Sequence, residues 1–450
     1  MSRTNIAVGI TEGVIWKQLL TFFFPILLGT LFQQLYNTVD AIIVGQFLGK
    51  AALAAVGGGT GTAINLLIGF FTGLSSGAAV VISQHCGAKN GELAGKAVHT
   101  ACALSIAGGV VISALGYLFT TPLLVLIGTP EEILPLAERY MHIYFLGALA
   151  TVLYNMGSGI FRAIGDSRHP FIFLVASCLF NIALDLFFVG ALGFGIEGAA
   201  YATVLSQVLS VFLVCRGLMR RQGPERLCIK KIRADRTLLG HMLALGLPAG
   251  IQSVMYTISN LLIQSAINSY GTDTAAAWAA YSKVDGIFWA VVSSFGVALT
   301  TFTAQNYGAG KTDRARKAVR LSFAIAGGIT VAFTLCYLLA GHRLLSLFSS
   351  DPEVITIGCG IIACIVPWYI IYLPIEVLSG AARGAGKAFV PTVISIFGIC
   401  LVRVAWLQAV PRLSSSLNQV LLCYPFTWAL TSTAFFLYYW KGNIWAYRKH

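Results

Sequence analysis

Charge is what this sequence has least of. Only 10% of its 450 residues are Asp, Glu, Lys or Arg, against about a quarter in soluble domains. That scarcity excludes an ordinary water-soluble globule. The mean hydropathy of +0.79 agrees. Metal-binding patterns are also missing: the seven His show no HxxxH or HExxH spacing, and the ten Cys contain no CxxC pair. The usual zinc arrangements are thereby excluded, and the scattered cysteines read as small apolar packing residues. No nucleophile and base stand in a recognisable arrangement, so neither an enzyme nor a cofactor is expected. The first twenty residues lack a compact apolar core followed by a small-residue cleavage site, so no cleaved signal peptide is expected.

What is abundant is long apolar runs, such as 66–82, 101–118, 171–192 and 321–340. Each approaches the roughly 20 residues that a helix needs to cross about 30 Å of hydrocarbon. Twelve spans are expected, near 15–44, 52–83, 95–120, 132–160, 169–192, 196–218, 238–267, 275–305, 316–340, 354–380, 388–411 and 417–440. The fold class is an all-α integral membrane protein.

Bases exceed acids, 30 against 17, but their placement argues against nucleic acid as a partner. With the N-terminus cytoplasmic, 24 of the 30 bases fall on the inner side. Eight lie in the run from Arg216 to Arg236 and five in the run from Lys311 to Arg320. Lys50, Arg343 and Arg412 fall on outer ends. This is the positive-inside bias and puts both termini in the cytoplasm. Anionic headgroups of the bilayer are the partner such bases would meet.

The chain repeats itself. "ISQHCGAKNGELAGKAV" (82–98) lies without a gap over "TAQNYGAGKTDRARKAV" (303–319), and "SGIFRAIGDSRHP" (158–170) over "SGAARGAGKAFVP" (379–391). Both alignments use an offset of 221. Pro25 and Pro248 hold similar places in the first span of each half. The expected organisation is an N-terminal lobe at 1–218, a basic cytoplasmic linker at 219–237, and a C-terminal lobe at 238–450. Six spans is an even number, so both halves enter from one side and form a parallel repeat, with a pseudo-twofold along the membrane normal. Repeats of this kind are a transporter architecture. The repeat also reinterprets "GAGKT" (308–312). A phosphate-binding loop would need Gly where Gln305 stands, and the first copy reads "CGAKN", so both are expected to be turns between spans. "GFGIEG" (193–198) likewise sits between two spans with no strand before it.

Together, "LFQQLYNTVDAIIVGQFLG", "QHCGAKNG", "QNYGAGK", "GIFRAIGDSRHP", "FNIALDLFFVGALGFGIEGAAYAT" and "GAARGAGK" resemble the multidrug and toxic compound extrusion (MATE) family. The resemblance covers essentially the whole chain and rests on the order and spacing of these motifs. It implies twelve helices in two lobes, a prokaryotic-type plasma membrane, and H+- or Na+-driven efflux of organic, often cationic, amphipathic compounds.

Within "FNIALDLFFVG" (180–190), Asn181 and Asp185 are i and i+4 and share a helix face. Asp185 lies 17 residues beyond Arg168, about 25 Å along a helix. Asp40, the acid of span 1, and Thr203 of span 6 fall at similar depth in the outer half. Intramembrane charges are expensive and line cavities or pair. Two carboxylates, an amide and a hydroxyl with no basic residue nearby in the same lobe are an acidic set whose natural partner is H+ or Na+. In the family, the positions matching Asp40, Asn181, Asp185 and Thr203 form the first-lobe cation site. Asp40 is expected to carry the ion, with Asp185 and Asn181 holding it. Pro25 interrupts the helical ladder and permits a bend of span 1.

The second lobe differs. By the offset, the counterparts of Asp40 and Asp185 are the 261–263 region and Trp406, none acidic. Lys283, Asp285 and Arg403 stand there instead, and Asp285 is expected to pair with Arg403. The substrate path is expected along spans 1, 2, 7 and 8, with Gln33, Gln34, Tyr36, Asn37, Gln252, Met255, Tyr256 and Asn260 as contacts and Asn155 as a further polar candidate. Aromatic and Met side chains suit variable amphipathic ligands. The expected function is a cation-coupled antiporter working as a monomer by alternating access. The alternative is a lipid-linked precursor flippase of the same superfamily, with a larger, more basic cavity.

Overall fold

The computed structural model describes residues 10–409, 416–442, 444 and 445. Arg3, Arg412, Arg448 and Lys449, counted above in the charge pattern, lie outside them. Hydrocarbon leaves a spanning backbone no partner but itself. Accordingly, the described residues are helical almost throughout, with no strand among them. The long helices are α1 (Ile15–Gly57), α2 (Gly59–Gly87) and α3 (Gly91–Leu118). After a short α4 (Thr120–Leu126) come α5 (Leu134–Leu146), α6 (Ala148–Ala163), α7 (Arg168–Asp185) and α8 (Gly195–Arg220). The rest of the chain forms α9 (Arg236–Asn268), α10 (Thr272–Gly308), α11 (Thr312–Leu345), α12 (Pro352–Ile365) and α13 (Tyr369–Gly384). It ends with α14 (Phe389–Ser395), α15 (Val402–Ala409), the short α16 (Leu417–Leu421) and α17 (Cys423–Lys441).

Eleven stretches are each long and apolar enough to cross a membrane, and α5 with α6 makes a twelfth if the pair is one span bent by 51°. The number matches the expected twelve spans; several ends do not. Span 1 is expected to stop near 44, yet α1 continues to Gly57. Its helical dihedrals persist through Pro25 and break at Gly49, where φ is +81°. A glycine there admits a left-handed backbone that other residues resist.

The sequence repeat reappears in the backbone. Lys89 and Gly310, 221 residues apart, are both left-handed (φ 55° and 71°), as are Gly165 and Gly386 (φ 91° and 80°). The turn bonds correspond one to one: Asn90 N–H donates to His85 O as Lys311 N–H donates to Asn306 O, and Asp166 N–H to Phe161 O as Lys387 N–H to Ala382 O. A left-handed residue with bonds back to the last helical carbonyls is a helix C-terminal cap. "GAGKT" is therefore a helix-ending turn. In the first copy Asn90 also accepts from Leu93 N–H at 3.1 Å and starts α3. Asp166 plays the same part before α7, accepting from Arg168 and His169 N–H at 3.2 Å. Its other oxygen meets Arg221 and the His169 ring.

Contacts divide the chain into two compact units. One is Leu20–Val254 with residues 10–12, and the other is Gly13–Leu19 with the described residues from Met255 on. The link between α8 and α9 spans 221–235, with one 3-10 turn at Ile229–Lys231. The division falls later, inside α9, because the first half of α9 packs on α2 through glycines. A Cβ on Gly77 would lie 2.3 Å from Gly246 N, and one on Gly73 2.4 Å from Gly250 N. Small residues let helix backbones approach where no hydrophobic force between helices operates. The first unit holds two apolar clusters, one around Val44, Met141, Phe145 and Val152, the other around Ile82, Val98, Phe161 and Met242. In the second unit α10 is buried along most of its length, whereas Leu339 of α11 and Trp440 of α17 are exposed, as lipid-facing side chains must be.

Candidate functional site

The acidic set converges in the first unit. Asp40 comes from α1, Asn181 and Asp185 from α7, and Thr203 from α8, and all four are buried. Asn181 and Asp185 share a face because they stand one turn apart. In the orientation that satisfies its amide, Asn181 Nδ2 donates to Asp185 Oδ2 at 2.8 Å and its oxygen accepts from Thr203 N–H at 3.3 Å. The Asp40 and Asp185 carboxyl groups are close neighbours. Directly after Asp185 the helix widens to a π-helical turn, Leu186–Ala191, a distortion often found at functional sites.

Two oxygens in this cluster, Asp40 Oδ1 and Asp185 Oδ1, are buried without a hydrogen-bond partner. No Lys, Arg or His among the described residues pairs with either acid. Like charges this close in a buried setting repel, and unpaired buried charge is costly. A proton shared between the carboxyls, or a hard cation among the oxygens, relieves both costs. No group of three or more His, Cys, Asp or Glu placed to hold a metal ion occurs among the described residues.

Tyr36, expected among the substrate contacts, stands at this cluster. It lies beside Asp40, Asp185 and Thr203, and Tyr140 on α5 lies beside Asp40, Tyr36 and Thr203. Thr203 gives its own hydroxyl hydrogen to Ala199 O at 3.0 Å. Sequence reasoning missed Tyr140. Its one signal is the i, i+4 pairing with Tyr144, on whose ring it stacks at 6.3 Å.

The remaining expected contacts scatter. Gln33, Gln34 and Asn37 are exposed on α1, while Gln252 is buried and Met255 half-buried on α9. Asn155 turns its amide back on its own helix, donating to Thr151 O at 2.9 Å. Pro25 sits half-buried in α1.

In the second unit the expected Asp285–Arg403 ion pair does not form. Asp285 Oδ2 accepts from Trp289 Nε1 at 2.7 Å, and Oδ1 accepts from the Tyr369 hydroxyl. Those local donors satisfy the carboxylate, and Trp289, one turn away, could have been read from the sequence. Arg403 instead donates to Asn260 Oδ1 at 3.3 Å and lies 4.5 Å from the Tyr424 ring centre. Both charged groups line one chamber of about 370 Å³, which Tyr256 and Asn260 also border. Glu376 is held by Arg383 at 3.9 Å.

A family model, MatE, matches residues 25–187 and 248–406. Among curated proteins, the chain is 32% identical to the probable multidrug resistance protein YoeA of Bacillus subtilis (strain 168), over 86% of this chain and 84% of that protein. It is 28% identical to the probable multidrug resistance protein YpnP of the same organism, over 96% of each. Among solved structures, an outward-facing multidrug resistance MATE family transporter of the MOP superfamily superposes with a TM-score of 0.89 at 25% identity, covering 98% of both chains.

Proposed function

The chain belongs to the MATE family of multidrug efflux transporters, and from that premise we propose that it is a secondary antiporter that exports organic, cationic amphipathic compounds in exchange for H+ or Na+. The observation that carries this reading is the first-unit cluster: two adjacent buried carboxyls with an orphaned oxygen each, and no basic residue paired with them among the described residues. Asp40 receives the ion. Asn181, by donating to Asp185, keeps that carboxyl turned toward Asp40. Thr203 and Tyr36 close the cluster.

Antiport requires that ion and substrate bias opposite states of one bistable element. The ion lands on α1, the helix that Pro25 weakens and that Gln34 and Asn37 decorate, so protonation or Na+ capture can shift that helix and expel a compound resting against it. Both termini are assigned to the cytoplasm and the protein to the plasma membrane, on the distribution of Lys and Arg. The same rule makes the linker at 219–237 cytoplasmic. The lipid-linked precursor flippase is not favoured, since the curated relatives above bear the names of multidrug resistance proteins.

The test is transport by the purified protein in proteoliposomes loaded with a fluorescent organic cation, with ΔpH and ΔNa+ imposed separately. Efflux that follows one gradient and collapses with it supports the reading. Efflux indifferent to both gradients rejects antiport.

A further inference from the structure

The chamber in the second unit holds a guanidinium that no acid among the described residues pairs with. Arg403 is only 5% exposed. Its Nε is buried without a partner, and among the described residues its side-chain hydrogen bond goes to the neutral amide of Asn260. Guanidinium stays protonated under all ordinary conditions, so burial does not discharge it. The acid in the same chamber, Asp285, directs its two oxygens to Tyr369 and Trp289. The walls are aromatic: Trp278, Trp289, Tyr372 and Tyr424 line the space. Immediately before α15, the π-helical turn Ile396–Leu401 brings Ile399 to the wall, and Arg403 follows it into the chamber.

We propose that this chamber is a binding site for planar aromatic carboxylates. The carboxylate completes the fork of Arg403, a charge-assisted pair that matches guanidinium geometry, while the ring lies against the Trp and Tyr faces. A volume of about 370 Å³ suits a bicyclic ring system. None of these residues belongs to the Asp40 cluster, so the site stands apart from the ion-coupling reading. Its ligand class is also opposite in charge to the exported compounds proposed above.

The experiment is equilibrium dialysis of the full-length protein in detergent micelles, without any ion gradient, against 2-naphthoate, 2-naphthamide and 2-naphthylmethylammonium. The site predicts that naphthoate binds about tenfold or more tightly than the amide, as a charge-assisted hydrogen bond provides. R403Q should erase that preference, and D285N should leave it intact. Equal binding of naphthoate and amide overturns the proposal, as does an unaltered preference in R403Q. Tightest binding of the ammonium, lost in D285N, overturns it in favour of a cation site. If R403Q does not yield folded protein, S282F decides the matter: Ser282 borders the chamber, and a phenyl group there should block naphthoate. Undiminished binding in S282F would place the ligand elsewhere and refute the assignment. D40N should bind naphthoate normally, which separates failure of this site from failure of the antiport reading.

Discussion

Asp40→Asn removes one of two adjoining charges while keeping the shape of the side chain. A cation lodged between Asp40 and Asp185 feels both. At about 4 Å and an effective dielectric near 20, each unit charge contributes roughly 4 kcal/mol. Some of that is offset, because Asp185 no longer has a like charge beside it when the ion leaves. A net loss of roughly 3 kcal/mol is expected, a weakening of ion binding by about two orders of magnitude at 1.4 kcal/mol per decade. Folding should survive, since Asp40 Oδ1 has no hydrogen-bond partner to lose. The assay is the proteoliposome efflux described above, with the variant's melting temperature and elution profile measured beside it. Gradient-driven efflux should vanish, while binding of the organic cation in detergent, where no gradient drives it, persists. Efflux by D40N at the parent rate, under whichever gradient drives the parent, would refute the assignment of the ion to this carboxyl. So would unchanged ion binding by calorimetry.

Asn181→Leu leaves Asp185 without the amide that turns it toward Asp40, and ion affinity should fall about tenfold, the size of one hydrogen bond to a charged group; calorimetric titration checks it. Tyr36→Phe removes a neutral hydroxyl beside the acids but no charge, so it should change ion affinity less than Asn181→Leu; a loss equal to that of D40N would mean that the phenol itself holds the ion. Gly77→Leu drives a side chain into the Gly246 backbone and should destabilise the protein by about 1–3 kcal/mol or more through overpacking, whereas Gly328→Ala, where a Cβ meets no atom within 4 Å, should not; thermal unfolding of the two variants compares them.

The legible parts of this chain are those set by one-dimensional physics. The length of apolar runs decides how many helices can cross a bilayer, because hydrocarbon permits no other spanning backbone than helix or closed barrel. The duplication is legible because identical turns need identical residues: the left-handed positions of Lys89 and Gly310, and of Gly165 and Gly386, follow the sequence offset. Asn181 and Asp185 could be placed on one face by helical period alone. Their convergence with Asp40 and Thr203 was an expectation from depth and family resemblance, and the fold does bring the four together.

Tertiary structure decided the rest, where the partner of a polar group comes from a distant helix. Asp285 and Arg403 have opposite charges and similar depth, which makes a pair plausible on paper. Helix rotation turns one toward Tyr369 and Trp289 and the other toward Asn260 and Tyr424, and rotation about a helix axis is not encoded in hydropathy. That Tyr36, expected along the substrate path, stands beside the acids of the first unit has the same reason. The extension of α1 to Gly57 and the close approach of α2 to α9 also depend on packing, since a glycine permits contact without dictating which helix supplies it. The sequence by itself thus determined the number of crossings, the repeat and the presence of uncompensated acid in the first half. Only the folded chain determined which oxygens, phenols and guanidinium face one another, because those contacts depend on side-chain direction across helices far apart in sequence.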